Sequence, residues 1–149
     1  MLRTLCVMLR TLCVMLRTLC TIALLAGPVL AGEKEMRHFL DSLRRVETGG
    51  LPAAGIGAVG DGGASIGPYQ IQRAYWSDSR QKAGRYEDCL RDAKYSEQVM
   101  LGYWKRYCPD ALASENWEVL ARVHNGGPKG HKKKATEGYW SKVQKEMTR

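Results

Sequence analysis

Several patterns that mark common protein classes are missing from this sequence of 149 residues. It has no Cys/His spacing of the kind that holds zinc, and no stripe of basic residues alternating with aromatics, as nucleic-acid binding would favour. Its longest clean apolar run, residues 19–31, falls short of the about 20 residues that a membrane-spanning helix needs. We therefore expect one domain without metal, cofactor or nucleic-acid partner, and without stable membrane insertion once a signal is removed.

The first 31 residues have the pattern of a secretory signal with a duplicated start. "MLRTLCV" occurs twice and "MLRTLCT" follows at residues 15–21. A repeat this short is not a solenoid, and three copies without flanking charges do not make a coiled coil. From Met15, which is an alternative start, one positive charge precedes an apolar run and small residues. This order predicts a signal peptide cleaved after Ala31, with a membrane anchor as the alternative. We expect residues 32–149 to be exported, to the extracellular space or the periplasm.

Loss of the leader would leave a basic domain with two cysteines. Lys plus Arg falls from 23 to 20 against 15 acidic residues, so the formal charge becomes +5. Such a charge suits an anionic polymer such as a bacterial cell wall, although plain solubility explains it equally well. The run "KGHKKK" at 129–134 is interpreted as a solvated loop. Cys89 and Cys108 in an oxidising compartment favour one disulfide, with two free thiols as the alternative.

The chain after residue 31 predicts a mostly helical α+β domain. Residues 49–67 are too rich in glycine for a helix or for long strands. The short apolar runs "GIGAV" and "PYQI" flank a "GDGG" turn signal, which predicts a small hairpin or an ordered loop there. Apolar periodicity on either side predicts five helices. They cover residues 33–48, part of 72–82, about 92–107, about 114–124 and about 136–147. We expect Asp92 to cap the third of these helices, Pro109 to end it, and Tyr139 to face inward from the fifth.

The first predicted helix carries an acid where an apolar residue is expected. Met36, Leu40 and Leu43 recur at helical spacing, and the next position on that stripe is Glu47, just before two glycines. A charged carboxylate is costly beside leucines, so a carboxyl group in an apolar environment tends to keep its proton. A protonated acid is what a glycosidase needs in order to protonate a leaving-group oxygen. The alternative is a helix-end glutamate that turns into solvent.

Four motifs give the sequence a family resemblance. They are "VETGG", "GDGGASIGPYQIQRAYWSD", "YSEQVMLGYWKRY" and "LARVHNGGPKGHKKKATEGYWSKVQ", in that order between residues 36 and 146. Together they resemble the invertebrate-type, or destabilase-like, lysozymes, and most of all their cysteine-poor bacterial-like branch. The resemblance implies a lysozyme-like fold, with helices and a small β-hairpin beside a substrate cleft. It also implies a secreted, bacteriolytic and monomeric muramidase that hydrolyses the β-1,4 bond between N-acetylmuramic acid and N-acetylglucosamine in peptidoglycan.

The same resemblance assigns catalytic carboxylates. The acid of the family matches Glu47. The second carboxylate matches Gly60 strictly, and Asp61 lies one position later. Glycine-rich turns absorb such a slip easily. Asp61 is therefore either the nucleophile or oxocarbenium stabiliser, or a plain turn residue of an Asp-Gly pair.

Substrate-binding residues and a disulfide are implied in the same way. Aromatic faces beside polar groups suit a sugar ring, although we expect one of Tyr75 and Trp76 to be in the core. Family members carry cysteines near both Cys89 and Cys108, which implies that these two are bonded. Ile66 and His131 stand where animal members have further cysteines. The implied substrate-binding residues are Gln72, Arg73, Ala74, Tyr75, Trp76, Ser77, Asp78, Tyr103, His124, Asn125 and Gly126.

Three other functions stay open from the sequence. A lytic transglycosylase would use Glu47 alone. An isopeptidase would need a Ser/His pair, for which Ser65 and His124 are the candidates. A cell-wall-binding or chitin-binding module would need no acid on an apolar stripe, so Glu47 disfavours it.

Overall fold

The computed structural model describes residues 32–149, so the expected signal peptide and its duplicated start, residues 1–31, lie outside the described residues. Residues His38–Arg149 make up one compact unit. Six α-helices and three very short strands are present in the described part. These are α1 (32–48), β1 (Val59–Gly60), β2 (Ser65–Ile66), β3 (Ile71–Gln72), α2 (Arg73–Asp78), α3 (Ala93–Tyr107), α4 (Pro109–Ala113), α5 (Trp117–Gly126) and α6 (Glu137–Met147).

The core forms where α1, α3, α5 and α6 meet. Phe39 packs between two tryptophans, with ring centroids 5.9 Å from Trp104 and 4.8 Å from Trp117. The buried indole of Trp104 donates to the carbonyl oxygen of Leu120 at 3.0 Å, so its one polar atom is satisfied inside the core. Leu43 and Val143 are buried completely. The apolar stripe of α1 thus fixes the direction in which its last turn, with Glu47, faces.

The small sheet has three antiparallel strands, one more than the predicted hairpin. Its order is β1-β2-β3, with Ile66 opposite both Val59 and Ile71. The turn between β2 and β3 begins at Gly67, whose φ is +76° and where a Cβ would overlap the carbonyl oxygen of Cys89. Only glycine fits this position without a backbone shift. The Tyr86 hydroxyl, 3.0 Å from the Ile71 carbonyl oxygen, ties the sheet to the helical part.

Helix boundaries agree with the predictions at capped positions and differ elsewhere. Asp92 caps α3 by accepting from the amide of Tyr95 at 2.9 Å, as predicted. Pro109 was expected only to end this helix, yet it also begins α4, because proline at the first helical position loses no hydrogen bond. Helix α5 begins at Trp117 with Asn116 as its cap, three residues later than predicted. The mostly helical α+β class is confirmed.

The predicted disulfide between Cys89 and Cys108 is wrong, because both cysteines are free and buried. Cys89 lies just before α3, where its carbonyl oxygen accepts from Ser96 in the first turns of that helix. Cys108 follows the last residue of α3. A helix of 15 residues is about 22 Å long, whereas bonded cysteines need Cα atoms within about 7 Å. In the sequence, the positions of the two cysteines on either side of α3 suggested a bond. In the structure, the length of that helix keeps them too far apart to form one.

We expect both thiols to be reduced and slow to react in the native protein. Burial raises the pKa of each thiol to about 11, so the reactive thiolate is scarce at neutral pH. Alkylation without any reductant, followed by digestion and mass spectrometry, should label Cys89 and Cys108 quickly after denaturation and slowly before it. A disulfide-linked peptide pair from the unreduced digest would contradict the free-thiol structure.

Between residues 32 and 149, no helix combines the length and the apolar character that crossing a membrane requires.

Candidate active site

A cleft of about 320 Å³ lies where the end of α1, the sheet, α2, α3 and the end of α5 come together. It is lined by Glu47, Asp61, Ser65, Gln70, Gln72, Ala74, Tyr75, Asp78, Tyr103, His124, Asn125, Gly127 and Pro128. Three of these residues are carboxylic acids, and Asp78 is paired with Arg106 at 3.0 Å. The described residues therefore bring two further acids, Glu47 and Asp61, to one concave surface.

Glu47 sits in the last turn of α1 with 17% of its side chain exposed. Its Oε1 accepts a hydrogen bond from the Tyr139 hydroxyl at 2.6 Å. The Nε2 of His124 lies 3.4 Å from the same oxygen. The sequence pattern placed this acid among leucines, but its polar neighbours are a phenol and an imidazole. Glu47 is held in a defined orientation and still reaches the cleft.

Tyr139 is a donor to Glu47 that keeps its proton. Burial raises the pKa of Tyr139 well above its ordinary value, and the nearby charge of Glu47 raises it further. A neutral phenol has one proton to donate, and here it is directed at the carboxylate. Tyr139 was predicted to face inward from the last helix, but its contact with Glu47 was not predicted.

His124 links Glu47 to the aromatic part of the cleft. Only 4% of its side chain is exposed, and its Nδ1 lies 3.3 Å from the Tyr75 hydroxyl. Burial, and then the proximity of Tyr103, raise the pKa of Tyr75 well above normal, so its hydroxyl keeps a proton to donate. In the tautomer that accepts this bond at Nδ1, the ring proton is on Nε2, which faces Glu47.

Stacked tyrosines form the apolar surface of the cleft. Tyr75 from α2 lies on Tyr103 from α3, with ring centroids 3.7 Å apart and planes 11° apart. Tyr107 packs against Tyr103 at 4.7 Å. Tyr75 is half-buried, whereas Tyr103 is buried beneath it. The stack offers one fixed aromatic ring to a ligand, next to the amides of Gln72 and Asn125 in the cleft lining.

Asp61 stands on the sheet side of the cleft, in the turn between β1 and β2. It is exposed and has a φ of +51°, a conformation that aspartate and asparagine tolerate better than most residues. Its Oδ2 accepts from the Ser65 hydroxyl at 2.7 Å. At Gly60, the strict match to the family's second acid, a Cβ would overlap the side-chain oxygen of Gln70. Asp61 is therefore the acid that lines the sheet side of the cleft.

Seven of the predicted substrate-binding residues line the cleft and four do not. Arg73 and Ser77 lie one turn apart on the outer face of α2, and Arg73 pairs with Glu87 at 2.7 Å. Trp76 is half-buried outside the cleft lining, and its indole donates to the Tyr95 hydroxyl at 2.8 Å. Neither Trp76 nor Tyr75 belongs to the buried core. Gly126 packs against Thr136, leaving no room for a Cβ. The sequence interpretation assigned every residue of the matched run 72–78 to substrate binding, whereas a helix presents only some of its residues to any one side. The seven in the cleft are Gln72, Ala74, Tyr75, Asp78, Tyr103, His124 and Asn125.

Sequence reasoning missed several residues of the cleft wall. Gln70, Gly127 and Pro128 line it, and Tyr139 supports Glu47 from α6. Gln70 has a φ of +47°, which nothing in its residue type indicates. Gly127 and Pro128 directly follow the "HN" pair that was identified, so extending the motif by two residues would have found them.

Helices around a small sheet, with an acid at the end of the first helix and a second acid in the sheet turn, define the lysozyme-like class of fold. Comparison with known proteins gives the family. The model of the Destabilase family matches residues 54–146, and the chain belongs to this family, that of the invertebrate-type lysozymes.

Individual relatives agree with that assignment. An invertebrate-type lysozyme of Ruditapes philippinarum is 34% identical over 101 residues, which cover 68% of this chain and 74% of the relative. Lysozyme 1 of Crassostrea virginica is 40% identical over 80 residues, 54% of this chain, but these span only 44% of the relative's length. The crystal structure of Tapes japonica lysozyme matches with a TM-score of 0.62 at 34% identity, covering 72% of this chain and 87% of that structure.

Proposed function

We propose that this chain is a secreted lysozyme that hydrolyses the β-1,4 bond between N-acetylmuramic acid and N-acetylglucosamine in bacterial peptidoglycan. The observation that carries the proposal is the placement of Glu47 and Asp61 in one cleft of the lysozyme-like fold. Secretion is proposed from the signal pattern of residues 15–31.

Each side chain has a defined role in the proposed reaction. Glu47 donates a proton to the glycosidic oxygen as the bond to C1 breaks, and water then adds to C1 and returns a proton to Glu47. Asp61 carries the negative charge that stabilises the oxocarbenium-like transition state, either electrostatically or as a nucleophile. Its hydrogen bond from Ser65 orients the carboxylate without neutralising it.

The remaining cleft residues suit a polysaccharide. The exposed part of the Tyr75 ring fits the apolar face of a pyranose. Amides at Gln72 and Asn125 match the hydroxyl and N-acetyl groups of amino sugars by offering both donors and acceptors. The formal charge of +5 after signal removal favours approach to an anionic cell wall.

A lytic transglycosylase is the second candidate, because Asp61 is offset by one residue from the family pattern. An isopeptidase has less support. Ser65 donates to Asp61, and the two ring nitrogens of His124 face Tyr75 and Glu47. Ser65 and His124 thus each have other partners, although both line the cleft.

Product analysis tests the proposal directly. The mature protein, residues 32–149, should clear a suspension of Gram-positive cell walls and release muropeptides that end in a reducing sugar. Mass spectrometry separates these from 1,6-anhydro sugars by one water molecule. Anhydro products would favour the transglycosylase, and folded protein without any clearing would contradict both enzymes.

A further inference from the structure

Both polar contacts that the described residues make with Glu47 go to the same oxygen. The Tyr139 hydroxyl donates to Oε1 at 2.6 Å, and His124 Nε2 approaches Oε1 at 3.4 Å. We propose that Tyr139 is a positioning residue, which holds Oε1 so that Oε2 is the oxygen that delivers the proton. This inference rests on the proposed function, since it concerns the acid of a glycosidase.

Tyr139 can act only through Glu47. It comes from the first turn of α6 and does not belong to the residues that line the cleft. A substrate in the cleft therefore contacts Glu47 rather than the phenol behind it. The ring of Tyr139 lies 6.5 Å from that of His124, between centroids, so both side chains converge on Glu47, from α6 and α5 respectively.

The chemistry of a carboxylic acid then selects its proton-bearing oxygen. A protonated carboxyl group accepts best at its carbonyl oxygen and donates from its hydroxyl oxygen. With Tyr139 donating to Oε1, that atom is the carbonyl oxygen and the acidic proton sits on Oε2. When the proton moves to the glycosidic oxygen, the C1–O bond breaks and its electron pair stays with the departing sugar. Glu47 becomes a carboxylate, whose charge on Oε1 strengthens the bond from Tyr139.

The hydrogen bond is therefore stronger after proton transfer than before it. Bonds to a charged acceptor are about twice as strong as neutral ones, so Tyr139 favours the transition state over the ground state. Among the described residues, the following titratable groups contact Glu47, lie behind such a contact or line the same cleft from the opposite side. They are Tyr139 on α6, His124 on α5, Tyr75 on α2 behind His124, and Asp61 in the sheet turn.

The test compares two tyrosine-to-phenylalanine variants in the mature protein. In Tyr139→Phe we expect kcat to fall about 10- to 100-fold with KM unchanged, because a charge-assisted bond is lost outside the substrate-binding surface. The rate should also persist to higher pH, since the carboxylate form of Glu47 loses more stabilisation than the protonated form.

Tyr69→Phe is the matched control. The Tyr69 hydroxyl donates to Glu97 Oε1 at 2.7 Å, a bond of the same kind and nearly the same length, but neither residue lines the cleft. This variant should lose comparable thermal stability while its kcat and pH profile stay as in the wild type. An equal fall of kcat in both variants would assign the effect to general destabilisation and overturn the proposal.

Two further measurements keep the test decisive. Adding Tyr139→Phe to a Glu47→Gln protein should cost no additional rate, because the acid through which Tyr139 acts is already absent.

A ¹³C NMR titration of the glutamate carboxyls should show the Glu47 midpoint at higher pH in Tyr139→Phe, whether or not the protein cleaves peptidoglycan. A titration curve of Glu47 in Tyr139→Phe that equals the wild-type curve would overturn the positioning role of Tyr139. If the wild-type protein had no lytic activity, but Tyr139→Phe still shifted the titration curve of Glu47, only the proposed function would be refuted.

Discussion

Replacing Glu47 with glutamine is expected to reduce cell-wall lysis by about 10²- to 10⁴-fold while leaving the fold intact. Glutamine has the same shape and keeps an oxygen that can accept from Tyr139, so the contact at 2.6 Å can be retained. It has no acidic proton, and the departing sugar oxygen would leave without help. Turbidity clearing gives the rate, and a thermal melt should change by only a few degrees.

Glu97→Gln is the matched control for this substitution. Glu97 also accepts from a tyrosine hydroxyl at 2.7 Å, on α3 outside the cleft. It should retain wild-type lysis. A Glu47→Gln protein that keeps more than about a tenth of the wild-type rate would refute the assignment of Glu47 as the general acid.

Replacing Asp61 with asparagine is expected to cost nearly as much activity as the loss of Glu47. The transition state would lose the negative charge beside C1, or its covalent partner. The fold should not suffer, since asparagine tolerates the φ of +51° at this position and its side-chain oxygen can still accept from Ser65. Activity and melting temperature measured together separate the two effects.

Asp110→Asn provides the control for Asp61, because Asp110 is an exposed acid in the first turn of α4 and does not line the cleft. It should be fully active. Near-full activity of Asp61→Asn with 1,6-anhydro products would favour the transglycosylase. Near-full activity with reducing ends would instead indicate a hydrolase with Glu47 alone, in which a group such as Ser65 positions the water.

The position of Glu47 could be predicted from the sequence, but its environment could not. The spacing of Leu40 and Leu43 is a local property of one helix, and the structure preserves it. The contact with Tyr139 joins residues 92 positions apart and depends on how α6 packs beside α5. No periodicity within either helix contains that information.

The errors have similar physical causes. Cys89 and Cys108 flank a helix, and a helix separates its ends by its full length, so closeness in sequence misleads there. Strand β2 was missed because its two residues, Ser65 and Ile66, carry no alternation of their own. The predicted run "PYQI" instead ends at Ile71 of β3. In α2, every residue of the matched run was expected to bind substrate, yet Trp76 lies outside the cleft lining and donates to Tyr95.

Because both thiols are free, the native state of residues 32–149 contains no covalent cross-link between them. No disulfide has to form, rearrange or survive for this native state to be reached. Cys89 and Cys108 act instead as small apolar side chains that fill space. The native state therefore needs no oxidant to be complete, and hydrogen bonds together with buried aliphatic and aromatic side chains hold the cleft in shape without a disulfide.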